Sequence, residues 1–405
     1  MFLQPYRRVL ALPRVRTAVL LMGFARLPMT VMGISLTLHV VTELGRGYGA
    51  AGLAGTATTV GTALGAPMLG RTIDRYGLRR VVAVCGICST AFWVSIPHLP
   101  YLVLLLLALP AGMIAVPVGS LARQALTALV PEDQRRAAFS LDTIAVELSF
   151  IVGPTAGILV ITQLSSTVAL TGIGVCLALT AMALYVTNLP TRSAAEIGRG
   201  DAGPRPPLRD WMDRRLAGSL LITLSALFTL VGTELAVIAV LRANGEMDWT
   251  GVVIALMAVA SIAGGVVHGA VRRSLPQAAL AGLLGLLVLP VGLVGQPWWL
   301  LAIALIPMNV MCTPTMAAST ETVSRLAPPR VRGEAMGLYD SSGRLGVALG
   351  SPVVGLAMDH SSPGWGFVAA GLGGLAFAGL GILCQQRPVA LLPRATRTAE
   401  ADGPA

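Results

Sequence analysis

Four charged residues fall deep inside long apolar runs of this sequence: Arg26, Glu147, Glu234 and Arg344. A charge at bilayer depth is costly, and one found there normally binds, pairs or exchanges a proton. Glu234 is the first candidate to titrate a proton or hold a cation. Arg26 is divided between a cavity cation and an anchor whose guanidinium reaches back to the interface. Glu147 and Arg344 stand 197 residues apart and are expected to form a breakable pair, a switch rather than a ligand set. The densest chemistry lies in eleven residues, Gly70-Arg71-Thr72-Ile73-Asp74-Arg75-Tyr76-Gly77-Leu78-Arg79-Arg80. Gly70 and Gly77 permit a tight turn and close backbone approach. Asp74 can accept hydrogen bonds from a helix N-terminus or from an arginine.

The elements that carry these residues are apolar helices. The chain is 55% hydrophobic and 12% charged, against roughly 25% charged in soluble domains. Twelve runs of spanning length extend from 17–44 to 365–385. The fold class expected is therefore all-α and membrane-embedded. The stretch 190–215, rich in Gly, Pro and Arg, divides the chain. It separates an N-terminal six-helix bundle (1–189) from a C-terminal one (216–386), and 387–405 forms a tail. All 29 cations are arginine, and 25 of them fall on one side if the N-terminus is inside, against 2 in the outer loops. That bias predicts a multi-pass protein of the plasma (inner) membrane with both termini and the tail cytoplasmic. It also explains the net charge of +10 without nucleic acid. The four arginines before the first run lead into an uncleaved helix rather than a signal peptide. Cys85-x-x-Cys88 has redox or metal spacing, but it sits alone in an apolar run. No metal or cofactor is expected, and no Gly-x-x-x-x-Gly-Lys-Ser/Thr loop is present to use ATP.

The halves repeat. Pro131–Ala138 matches Pro328–Ala335 at an offset of 197, and Leu141, Leu148 and Gly153 match Leu338, Leu345 and Gly350. The spacing Gly70-x-x-x-Asp74-Arg75-x-Gly77-x-Arg79-Arg80 between two apolar runs resembles the signature loop of the major facilitator superfamily. Gly153-Pro154-x-x-Gly157 in the fifth run resembles a motif of that superfamily's proton-coupled exporters. The resemblance implies two pseudo-symmetric six-helix bundles around a central site, with the first and seventh helices lining the cavity. It also implies that the loop docks on the start of helix 11, near Glu334, with Asp74 and Arg75 as gate residues and Glu132 or Asp133, and Arg136, as their partners. The arginine common in helix 4 of drug antiporters is replaced by Ala108, ahead of Gly112.

Three further expectations come from the residues. Asp142 and Asp340 are read as first-turn carboxylates favouring the helix dipole. Ala263-Gly264-Gly265 offers a small face suited to packing against the Gly153–Gly157 motif. The second copy of the loop, Gly265–Arg273, lacks the carboxylate, so a gate latched from the first half only is expected. The function indicated is a secondary transporter, a monomer and not an enzyme. It would export small, partly apolar organic compounds in exchange for protons. The alternatives are an organic-anion importer using Arg26, or a transport-inactive sensor or scaffold.

Overall fold

A computed structural model describes residues 4–192, 206–271, 274–294 and 296–386. The tail 387–405 and residues 193–205 of the 190–215 linker lie outside the described residues. Among the described residues, twelve long helices follow in chain order: α1 Pro13–Thr42, α2 Tyr48–Tyr76, α3 Leu78–His98, α4 Tyr101–Leu129, α5 Arg135–Gln163, α6 Ser166–Thr187, α7 Arg214–Ala243, α8 Thr250–Ala270, α9 Gln277–Leu293, α10 Trp298–Leu326, α11 Arg332–Asp359 and α12 Trp365–Gln386. A short helix, Gln4–Ala11, precedes them. At 1.5 Å per residue, the 28 to 30 residues of α1, α2, α5, α7, α10 and α11 exceed a hydrocarbon core of about 30 Å.

Nine spans among the described residues are long and apolar enough to cross a membrane, and α9 is a shorter apolar helix. The two long helices outside that set are α2 and α11. Their weak hydropathy has a packing cause. Both are rich in Gly, Ala, Ser and Thr because they face each other across the two halves rather than facing lipid alone. Close backbone approach needs small side chains, and lipid exposure needs large apolar ones.

Each half has its own apolar core. One cluster joins Met22 and Ala25 of α1 with Val81, Val82 and Cys85 of α3 and Leu121 of α4. Another joins Phe228 of α7, Met257 of α8, Leu305 of α10, Val354 of α11 and Phe367 of α12. The repeat is visible in the packing. A Cβ on Gly153 of α5 would strike Thr30 of α1, and one on Gly350 of α11 would strike Phe228 of α7. The Gly153–Gly157 motif thus packs on α1, with Gly157 against Val31. It does not meet the small face of α8, as its sequence suggested. Gly264 instead lies against the Val310 carbonyl of α10, an acceptor left free because Pro314 lacks an N–H. Gly265 lies against Thr313 and Ile144.

Gly346 of α11 is held against the Leu224 carbonyl of α7. Gly346→Leu is expected to cost about 1–3 kcal/mol by overpacking. The readout is the thermal unfolding midpoint in detergent, and an unchanged midpoint would show that the contact is not tight.

Candidate functional site

The helices α2 and α3 are joined by one residue, Gly77, whose φ of 85° is open to glycine and strained for other residues. This turn marks the basic end of the bundle. Asp74, in the last turn of α2, reaches the N-terminus of α11. Its Oδ1 accepts from the Gly333 N–H at 3.2 Å and its Oδ2 from the Glu334 N–H at 3.1 Å. These are the second and third residues of α11, the positions an N-cap side chain satisfies. The chain before α11 supplies no side-chain cap of its own. A residue of the other half, some 260 positions away, therefore caps the helix. Arg75 stacks on Tyr76 at 5.0 Å, and Arg79 donates to the Tyr185 carbonyl at 3.0 Å.

The cap requires α2 and α11 to touch along their backbones. Gly70 meets the Gly333 carbonyl and Gly337 meets Ala66 and Pro67, with no room for a Cβ at either glycine. One turn further on, the Ser341 hydroxyl donates to the Ala63 carbonyl. Pro67 has no N–H for that carbonyl, four residues before it, so Ser341 supplies the missing donor. Gly333, Gly337 and Ser341 are contact residues that the spacing of the Gly70–Arg80 loop did not point to. Their spacing of four along one helix, facing a proline, was the available signal.

Two ion pairs extend the contact between the halves, and a third lies within the first half. Arg123 of α4 pairs with Asp340 of α11 and lies 4.6 Å over the Tyr339 ring. Arg136 of α5 lies 3.7 Å from Glu321 of α10 and donates to the Val271 carbonyl at 3.1 Å. Within the first half, Arg26 lies 2.8 Å from Asp142, both nearly buried. Asp142 and Asp340 are thus pairing residues and not first-turn carboxylates. Their helices begin at Arg135 and Arg332, about two turns earlier, so the dipole end lies elsewhere. Tyr6 of the N-terminal helix donates to the carbonyls of Gly265 and Val266, at 2.7 and 3.0 Å. Burial pushes its phenol up to about 12. Thr127 of α4 and Ser324 of α10 share a hydrogen bond of 2.9 Å.

Above this closure lie the deep carboxylates. Glu147 of α5 accepts from Ser261 of α8 at 3.0 Å and from the Cys312 thiol of α10 at 3.7 Å. Ser261 also shares a hydrogen bond with Thr313 at 2.9 Å. Glu147 is not brought to Arg344, so the expected switch pair is not made in this conformation. Arg344 lies half-buried one turn beyond Asp340 and feels its charge. Glu234 of α7 is exposed on the inner side, within Coulombic range of Glu147 and Cys312. It makes no ion pair among the described residues. Glu234, Ile238 and Arg242 follow at intervals of four on one stripe of α7. Ile238 and Arg242 line a cavity of about 500 Å³ near the end opposite the basic loops. The hydrogen bonds and ion pairs described between the halves run from the basic end to Glu147. Among the described residues, no cluster of three His, Cys, Asp or Glu side chains is placed to hold a metal.

The family model described as Major Facilitator Superfamily matches residues 18–278 and 271–403. Solved structures of similar fold include the human organic anion transporter MFSD10, 19% identical, covering 93% of this chain and 98% of that one at a TM-score of 0.65. They also include the proton:xylose symporter XylE, 12% identical, with coverages of 91% and 93% and a TM-score of 0.69. A bacterial homologue of the iron transporter ferroportin, in an outward-facing state, is 14% identical, with coverages of 93% and 100% and a TM-score of 0.71. No curated protein matches by sequence.

Asp74→Asn keeps an acceptor but loses the charge. Loss of a cap costs about 0.5–2 kcal/mol. The variant is expected to transport more slowly with unchanged substrate affinity, and to exchange amide hydrogens faster over residues 333–341. Unaltered exchange there would remove Asp74 from the latch.

Proposed function

Because this chain belongs to the major facilitator superfamily of membrane transporters, we propose that it exports small, partly apolar organic compounds in exchange for protons, by alternating access. The observation that carries this reading is the position of Glu234. It is an unpaired carboxyl on the inner face of α7, between a closed basic end and a cavity toward the other end. A carboxyl there can load a proton from the open side and release it once the halves rock. The basic end is the cytoplasmic one by the distribution of arginine, in the plasma (inner) membrane, so the conformation is open outward. The chain acts as a monomer, each half serving as the partner of the other.

The wall of the site supports partly apolar compounds. Leu235, Ile238 and Ala239 line the cavity with Arg242 as the one charge, and aromatic residues form only 5% of the chain. A sugar would need many more hydrogen-bonding partners. The anion-import reading required a bare Arg26, and that guanidinium already stands beside Asp142.

The test is flux in proteoliposomes under an imposed pH gradient, with a panel of lipophilic compounds. Substrate efflux driven by inward protons is the expected result. Uptake of an anion, or no flux of any compound, would overturn the proposal. Glu234→Gln is expected to abolish the response to the pH gradient while leaving folding and substrate counterflow intact. Normal proton-driven flux by that variant would move the coupling site elsewhere.

A further inference from the structure

On the outer wall of the first half, α3 and α6 leave a groove of about 870 Å³. On α3 it runs from Ala83 through Ile87 and Ala91 to His98, and on α6 it is lined by Ala178 and Met182. The α3 residues follow at intervals of three and four, so they form one stripe. From Ala83 to His98 that stripe is about 22 Å long. Small residues make the floor. Gly86 packs directly on Ala181, which draws the helices together and leaves Ile87 and Met182, both well exposed, as walls. The groove is mostly apolar, with the Thr90 and Ser95 hydroxyls bonded to backbone carbonyls and His98 at its far end, and it faces away from the other half, toward the hydrocarbon of a bilayer.

Its basic end is not apolar. Arg79 and Arg80 are exposed one turn below Ala83, on the same stripe. Arg79 is held in place: its Nε donates to the Tyr185 carbonyl, and its guanidinium lies 5.5 Å over the Tyr185 ring. Neither arginine has a carboxylate partner among the described residues. A mostly apolar channel of about 22 Å that ends in two cations at the membrane surface matches one molecule, a lipid with an acyl chain and an anionic phosphate head.

We propose that this groove binds one anionic phospholipid, with an acyl chain along α3 and α6 and its phosphate against Arg79 and Arg80. Both arginines belong to the loop whose Asp74 caps α11. The lipid head would thus sit a few residues from the latch, on the side of the bilayer where anionic lipids attract basic segments. This inference does not depend on which compound is transported or in which direction.

The test uses the full chain in nanodiscs holding equal amounts of phosphatidylglycerol and phosphatidylcholine with identical acyl chains. Native mass spectrometry after release reads the lipid retained. The expected result is one phosphatidylglycerol per protein, retained about tenfold over phosphatidylcholine. Filling the groove with Ala91→Leu and Ala178→Leu is expected to abolish retention. Arg80→Gln, which alters no packing, is expected to bring the preference close to unity while a lipid is still retained. Equal retention of the two lipids by the unaltered protein would overturn the proposal, as would an unchanged preference in Arg80→Gln.

Discussion

A helix that begins inside a protein interface must find partners for its first N–H groups. For α11 those partners are the two carboxylate oxygens of Asp74, contributed by the opposite half. Much of the contact between α2 and α11 follows from this requirement. A short side chain on α2 reaches α11 only if the two backbones touch, so Gly70, Gly333 and Gly337 carry no Cβ at the contact. Touching backbones expose the carbonyl that Pro67 orphans, and Ser341 satisfies it. The cap, the glycines and the proline are one device. Each of its bonds joins the two halves, so each is lost together when the halves part. Hydrogen bonds to charged groups contribute about 1.5–3 kcal/mol net. A handful of them is a sizeable share of a contact between two halves, and water can replace them if the halves part. A carrier needs this near-balance, since neither conformation can be a trap.

The other side of the closure is built differently. The second copy of the signature loop has no carboxylate, and its glycines Gly265 and Gly269 pack against α5 and the N-terminal helix. There Tyr6 and Arg136 donate to backbone carbonyls at the end of α8. On the first side a first-half carboxylate meets N–H groups at the start of α11. On the second side a phenol and a guanidinium meet C=O groups at the end of α8. The chemistry is inverted in each case to suit the helix end it faces, positive at the start and negative at the finish.

The twelve-helix plan was legible because lipid-facing segments must be apolar, and the Asp74 loop because its charges interrupt such segments. The ion pairs were not. Arg123 and Asp340 both sit near helix ends in the sequence, where a charge is unremarkable, and only the fold shows that they meet. Asp142 was misplaced because α5 starts earlier than its apolar run: Arg135 and Arg136 are polar yet helical. Composition marks where a helix meets hydrocarbon, and a helix that continues into a packed, polar end leaves no such mark. Gly333 and Gly337 were hidden for a related reason, since a glycine in a helix reads as a weakness until the neighbour that needs it is known.

The repeat explains why one pair of equivalent residues meets and another does not. Two halves related by a two-fold axis along the membrane normal place residue i and residue i+197 at mirrored distances from that axis. Thr127 and Ser324 bond to each other, so they lie on it, and the axis passes between α4 and α10 near the basic end. Glu147 and Arg344 have the same offset, but Glu147 faces α8 and α10 while Arg344 lies near Asp340 on α11, on the other side of the bundle. Equivalence in a repeat gives similar surroundings, not contact, and opposite charges at equivalent positions can be far apart. The two halves have therefore been free to diverge at that depth. The first presents a carboxylate to its neighbours and the second a guanidinium, so a nearly symmetric scaffold carries opposite charges at equivalent depths.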